Sequence, residues 1–346
     1  MTSQMRAEIG EQPDALRRTI DALLPRTPDI AALARETRQV LFIARGSSDN
    51  AAVYGRYLVE SHAGRLGTLA APSVATTYKR RLDLSGVLAV AISQSGKTEE
   101  IVETLDWARG CGARTVAVTN GAGSPLAEAA EVALVTEAGD EIAVPATKTY
   151  TTQLAALSVL GLGLGADVVV DDLRRVPDEV ARMIAETEAS PALPEIVEEL
   201  ARVPGAVVSG RGIAFGTALE LALKIKEACY LHAMGLSYAD LLHGPIAVVD
   251  AQTPALLVAA GSGPTLSGTI ALARRVESAG AKAFGVGGGD GLAAACTAAL
   301  PGPGLPEWVA PPALIVPGQI MVENLARRLG VDPDVPRGLN KVTQTD

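Results

Sequence analysis

Short aliphatic runs alternate with longer helical stretches along most of this chain, and that alternation admits few folds. Strands joined by crossover helices form a parallel sheet covered on both faces. The runs Val40–Ala44, Val87–Ile92, Thr115–Thr119, Val132–Val135, Ala206–Ser209, Leu256–Ala260 and Ala281–Val286 have strand length and the right side chains. Helical period is clearest in Asn50–Glu60, Glu99–Ala108, Thr147–Leu162, Thr217–Tyr230, Ser267–Ala279 and Ala313–Leu329. The first forty residues predict two or three further helices, with Pro13 and Pro28 near their starts.

The pattern also repeats. Gly212 follows a strand 166 residues after Gly46 does, Ser262-Gly263 stands 167 residues after Ser95-Gly96, and Ala281-Lys282 stands 168 after Ala113-Arg114. Three anchors in one order at nearly one offset predict two copies of a single α/β unit. The join is expected in roughly 165–195, where Asp171-Asp172, Pro191 and Pro194 bracket polar helical sequence. The expected organisation is an N-terminal helical segment over 1–30, a first unit over 31–175, a second over 191–330 and a tail over 331–346.

Charge and composition narrow the function. The 39 acidic and 30 basic residues give a net charge of −9, with no basic stripe to follow a nucleic-acid backbone, so nucleic acid is not an expected partner. A single phosphate remains possible, because a few backbone amides and hydroxyls suffice to bind one. Cys111, Cys229 and Cys296 lie far apart and share no metal-ligand spacing with the three histidines, so neither a disulfide framework nor a metal is indicated, and no cofactor is expected. No apolar run approaches the roughly 20 residues of a membrane span, and the polar start is unlike a secretion signal; no membrane partner and a cytoplasmic location are expected. Only 3% of residues are aromatic, so Ala, Val and Leu must fill the core.

Ser93-Gln94-Ser95-Gly96-Lys97-Thr98 follows a strand and precedes a helix opening with Glu99-Glu100. Hydroxyls and free amides at a helix N-terminus suit a phosphate, where backbone donors and the dipole both favour negative charge. Gly46-Ser47-Ser48 occupies the corresponding turn after the first strand, and two such turns at neighbouring strand ends would converge on one crevice. Ordinary N-capping also places Ser and Thr at such positions. Gly96-Lys97-Thr98 imitates the end of a nucleotide-binding P-loop, but Ala91 stands where the first glycine belongs; Gly285 to Gly291 nearly forms a dinucleotide fingerprint, with Asp290 in place of its last glycine.

In the second half, Ala218, Leu221, Ile225 and Cys229 share one helix face, while Glu220, Lys224 and Glu227 align on another. On spacing alone, that charged row is a solvated stripe worth tenths of a kcal/mol. Glu227 gains interest as a base only if it faces the phosphate crevice. His243, before Gly244-Pro245, is suited to acid/base work or to a structural role. The tail from Asp332 to Lys341 carries no helical or strand period and reads as a frayed end.

Taken together these segments resemble the sugar isomerase (SIS) family, specifically the isomerase half of glucosamine-6-phosphate synthase and the class II glucosamine-6-phosphate deaminases. The resemblance is carried by Ser93–Thr98, Val144-Pro145-Ala146-Thr147-Lys148, Ala222–Glu227, His243-Gly244-Pro245 and Pro336–Lys341, and it spans nearly the whole chain. It implies two doubly wound α/β units, each a mainly parallel sheet flanked by helices, with N-terminal helices and an extended tail. It further implies phosphate and sugar contacts from Gly46, Ser47, Ser48, Ser93, Gln94, Ser95, Thr98 and Asn340, with the segment bearing Val144 and Ala146 closing the pocket. Glu227 takes the role of the base at C2, Lys224 is its neighbour, His243 assists ring opening across a dimer interface, and Lys341 engages the sugar carbonyl.

Ala146, Lys97 and Asp240 depart from the family pattern, standing where a serine, a glutamate and a glutamate are usual. Thr2 follows Met1 where a glutaminase half would offer a cysteine, so glutamine-dependent amination is not expected. The implied activity is isomerisation or deamination of an aminohexose 6-phosphate by a homodimer with shared sites. Dehydration of the N-acetylated sugar and non-catalytic sensing of a sugar phosphate are the alternatives.

Overall fold

The computed structural model describes residues 2–341. It divides into two compact units. One comprises the chain start through Pro13, Ile142–Thr147 and Arg175–Leu339; the other comprises Asp14–Glu141, Lys148–Arg174 and the segment from Asn340.

The second of these holds a five-stranded parallel sheet of β1 (Gln39–Ile43), β2 (Leu66–Leu69), β3 (Val87–Ile92), β4 (Arg114–Thr119) and β5 (Val132–Val135), in the order β2-β1-β3-β4-β5. The other holds β6 (Gly205–Gly210), β7 (His232–Ser237), β8 (Ala255–Ala259), β9 (Ala283–Gly287) and β10 (Ala298–Leu300), all parallel, in the order β10-β9-β8-β6-β7. Read from β7, the second order repeats the first. The α/β class with two doubly wound units is what the sequence and the family resemblance predict.

Central strands are buried on both faces, which is why β3 reads Val-Leu-Ala-Val-Ala-Ile without alternation. The edge strands β2, β7 and β10 are absent from the sequence-based expectation. β2 and β10 are short, β2 and β7 contain Gly67 and Gly235, and all three carry a broken burial pattern that gives no periodic signal. The helices Gly46–His62, Glu99–Gly110, Lys148–Gly163, Phe215–Cys229, Leu266–Ser278 and Pro311–Arg328 fall where predicted, within a few residues at each end. Helices Gln4–Gly10, Gln12–Leu23 and Thr27–Ala34 form the N-terminal segment, with prolines in the first turns of the last two. Lys148–Gly163 is buried nearly throughout, so its apolar residues surround it instead of forming a stripe.

The tail is not frayed over its described length. Asp334 accepts hydrogen bonds from the Gln4 and Met5 amides at 2.8 and 2.7 Å, satisfying the exposed N-terminus of Gln4–Gly10, and the Asp334 carbonyl accepts from the Val144 amide at 2.9 Å. Further along, the Arg337 amide donates to the Tyr230 hydroxyl at 2.7 Å while its guanidinium stacks 4.4 Å from that ring's centroid. Replacing Asp334 by Ala is expected to cost about 1–2 kcal/mol, by removing a helix cap. The same variant should expose the Arg337 peptide bond to trypsin faster than in the parent protein, as read by limited proteolysis and mass spectrometry.

Candidate functional site

In a sheet of order β2-β1-β3-β4-β5, the connections leaving β1 and β3 go to opposite faces, and the crevice between their carboxyl ends is where ligands bind in open α/β sheets. Both serine-bearing turns lie there. Gly46 turns the chain out of β1 with φ +58°, and Ser48 follows in the first turn of Gly46–His62, buried, its Oγ accepting from Gln153 Nε2 at 3.0 Å. After β3, the buried Ser93 Oγ accepts from the Gly96 amide at 3.3 Å, and Ser95 Oγ accepts from the Lys97 amide at 3.2 Å.

Gly96 has φ +64°, and a side chain there would begin 2.2 Å from Ser124 Oγ; only glycine permits the loop to ride so close. Thr98 is the N-cap of Glu99–Gly110 but makes no side-chain capping bond. Local turn bonding therefore accounts for Ser93 and Ser95 as acceptors, and capping does not account for Thr98. Glu99 and Glu100 complement the helix dipole, with Glu100 held by Arg45 at 3.0 Å. Gln94 is half-buried and receives the Asn120 amide at its carbonyl, 3.1 Å away.

The charged row on Phe215–Cys229 corrects the expectation from spacing. Glu220 and Lys224 are not solvated: their side chains are 0% and 1% exposed, and Glu227 retains 23%. The Lys224 ammonium is bonded to Glu227 Oε2 and lies 3.5 Å from Glu220 Oε1. The helix packs against β6, β7 and the helix Pro311–Arg328, and Glu220 and Lys224 are buried along with Ala218, Leu221, Ile225 and Cys229. Periodicity locates one apolar face but cannot report that the other is covered too. Removing one partner of such a buried pair typically costs about 3–5 kcal/mol, because a charge is left uncompensated. Glu227 is the member of the array open to solvent.

His243 ends the short helix Tyr238–Leu242 and is exposed. Its Nδ1 lies 2.7 Å from the Ala239 carbonyl, which fixes the proton on Nδ1 and leaves Nε2 as an acceptor. Gly244 follows at φ +129°.

The sequence gives no signal for Glu141. Its carboxylate accepts from the Thr149 amide at 3.0 Å and the Thr149 hydroxyl at 2.6 Å, and pairs with Lys341 Nζ at 2.6 Å. Burial alone would raise its pKa, but the Lys341 ammonium and the Thr149 bonds outweigh that and hold it below the usual carboxylate range. A lowered folded pKa means that the pairing stabilises fully above the unfolded glutamate value of about 4.3 and is lost as pH falls through the lower folded value.

The expected residues are thus distributed over both units. Gly46, Ser47, Ser48, Ser93, Gln94, Ser95, Thr98, Asn340 and Lys341 belong to the unit with β1–β5; Val144, Ala146, Lys224, Glu227 and His243 belong to that with β6–β10. Val144 and Ala146 are half-buried, and Asn340 is exposed. Among the described residues no helix is long and apolar enough to cross a membrane, and no group of three or more His, Cys, Asp or Glu side chains gathers as a metal site would require.

Comparison with known proteins gives these features a family. The family model described as SIS domain matches residues 33–162. The isomerizing glutamine–fructose-6-phosphate aminotransferase of Pyrococcus horikoshii is 33% identical over 97% of this chain, and the match spans 57% of that enzyme, a little over half its length. A solved candidate phosphosugar isomerase from Silicibacter pomeroyi DSS-3 is 34% identical with a TM-score of 0.87, covering 96% of this chain and 100% of that one. Glucosamine-6-phosphate deaminase from Thermotoga maritima is 25% identical with a TM-score of 0.79, covering 99% and 100%. The repeated strand order, the serine turns at the first repeat's switch point and a relative matched over its entire length agree: the chain belongs to the SIS-domain family, of the phosphosugar isomerase type.

Proposed function

We propose that the protein acts on the open-chain form of an aminohexose 6-phosphate of the glucosamine type, removing the proton on C2, interconverting aldose and ketose, and releasing the C2 amine as ammonia. The observation that carries this reading is the Glu220–Lys224–Glu227 array, in which a carboxylate is fixed by a buried ammonium yet remains partly open. A carboxylate so positioned is a competent general base, with typical gains of ~10²–10⁴ in rate. The similarity to an aminotransferase acting on fructose 6-phosphate and to a glucosamine-6-phosphate deaminase supports the substrate class.

In this proposal Gly46, Ser47, Ser48, Ser93, Gln94, Ser95 and Thr98 hold the phosphate and nearby hydroxyls, with Val144, Ala146 and Asn340 bordering the sugar. His243 offers Nε2 to the ring hydroxyl whose proton must leave for the ring to open. The C1 carbonyl acidifies C2–H. Glu227 takes that proton, the C2–H electron pair forms the C1–C2 double bond, and the carbonyl oxygen takes up a proton. Lys224 keeps the carboxylate oriented. Lys341, an ammonium while paired with Glu141, donates to the carbonyl oxygen as negative charge develops there. Return of a proton to C1 leaves an imine at C2, and water adds to it and expels ammonia, giving the 2-ketose.

Glu227→Gln keeps the shape of the side chain and removes the base. In variant protein shown by circular dichroism to be folded, C2–H exchange with solvent deuterium, followed by proton NMR on glucosamine 6-phosphate, should fall by at least ~10²; undiminished exchange contradicts the assignment. The exposed His243 is further proposed to serve the site of a second copy. Light scattering is expected to give a dimer as the smallest active species, and an active monomer would refute this.

A further inference from the structure

The helix Lys148–Gly163 is buried nearly throughout, yet it carries polar side chains. Two of them, Thr149 and Gln153, stand one turn apart on the same face, and each holds a residue of the candidate site. Thr149 binds the Glu141 carboxylate, the partner of Lys341. Gln153 is 3% exposed and donates from Nε2 to Ser48 Oγ at 3.0 Å. All of these residues belong to the unit with β1–β5.

The Gln153 amide is only half satisfied. Its Oε1 is buried and has no hydrogen-bond partner among the described residues. An orphaned buried oxygen is costly, and a methionine of similar length would fill the same space without one. Retaining an amide at such a position calls for a compensating role, and its bond to Ser48 supplies one. A serine hydroxyl has one hydrogen to give and two lone pairs with which to receive. The Gln153 N–H occupies a lone pair, so the Ser48 hydrogen is not spent on Gln153 and is left for another acceptor. Ser48 stands in the first turn of Gly46–His62, at the crevice between β1 and β3, where an anion is such an acceptor.

We propose that Gln153 is a positioning residue for the phosphate end of the ligand: without touching the ligand, it fixes the Ser48 hydroxyl as a hydrogen-bond donor toward it. The inference rests on the reading above that Ser48 contacts the phosphate, and adds that the polarity of this contact is set from the helix Lys148–Gly163. The effect of Gln153 must then pass through Ser48 and be confined to phosphorylated ligands. It strengthens binding of substrate and transition state alike, because the phosphate does not change during reaction at C2.

A double-mutant cycle tests it, with the parent protein, Gln153→Met, Ser48→Ala and Ser48→Ala/Gln153→Met compared in the full chain. The probe is glucitol 6-phosphate, which has no carbonyl and cannot react, titrated by isothermal calorimetry. Gln153→Met is expected to weaken binding about tenfold when Ser48 is present and less than about twofold when it is Ala. With glucosamine 6-phosphate as substrate, KM should rise by a similar factor while kcat stays within about twofold. Unchanged binding in Gln153→Met, an equal loss in the Ser48→Ala background, or a fall in kcat at constant KM overturns the proposal and leaves the proposed function standing. A Gln153→Met chain that circular dichroism shows to be unfolded also overturns it, since the amide would then serve the fold. Failure of the parent protein to bind glucitol 6-phosphate at all removes the phosphate site, and the proposed function falls with it.

Discussion

A parallel sheet forces every strand to end at the same edge, and in both units of this chain that constraint determines where chemistry can be placed. In the order β2-β1-β3-β4-β5, repeated from β7 to β10, the connections diverge on either side of one point and leave a crevice there. A strand feeding a helix presents the helix's unpaired amides at that crevice, so the backbone already favours an anion before any side chain is chosen. Side chains then decide whether the crevice stays open.

The second determinant is the treatment of charge in the helix Phe215–Cys229. A solvated Glu–Lys row contributes tenths of a kcal/mol and can be exchanged freely. The same residues in the interior fix one another, because each would be costly to leave alone. Lys224 is held by Glu227 on one side and approached by Glu220 on the other, so Glu227 is delivered in one orientation. The Glu141–Lys341 pair repeats the device for the tail, tying a segment with no core pattern of its own to a fully buried carboxylate.

The central strands and long helices were legible in the sequence because uniform aliphatic runs and 3.6-residue periods are direct imprints of burial. β2, β7 and β10 were not, since a three- to six-residue edge strand interrupted by glycine or by exposed positions leaves no such imprint. The turn Ser93–Thr98 was visible as a local motif, and the glycine that shapes it has a steric reason in Ser124. The burial of Lys224 was invisible, because a helical period tells which residues share a face and not whether distant parts of the chain cover that face. Glu141 was missed for a similar reason, standing 200 residues from its partner.

The central claim is that this chain carries out proton transfer at C2 of a phosphorylated amino sugar. Mass analysis of the products formed from glucosamine 6-phosphate and from its N-acetyl form, in deuterated water, tests it most directly. The account predicts a ketose 6-phosphate bearing deuterium at C1 together with one equivalent of ammonia from the free amine. Tight binding of both sugars with neither consumed and no deuterium entering at C2 would contradict it.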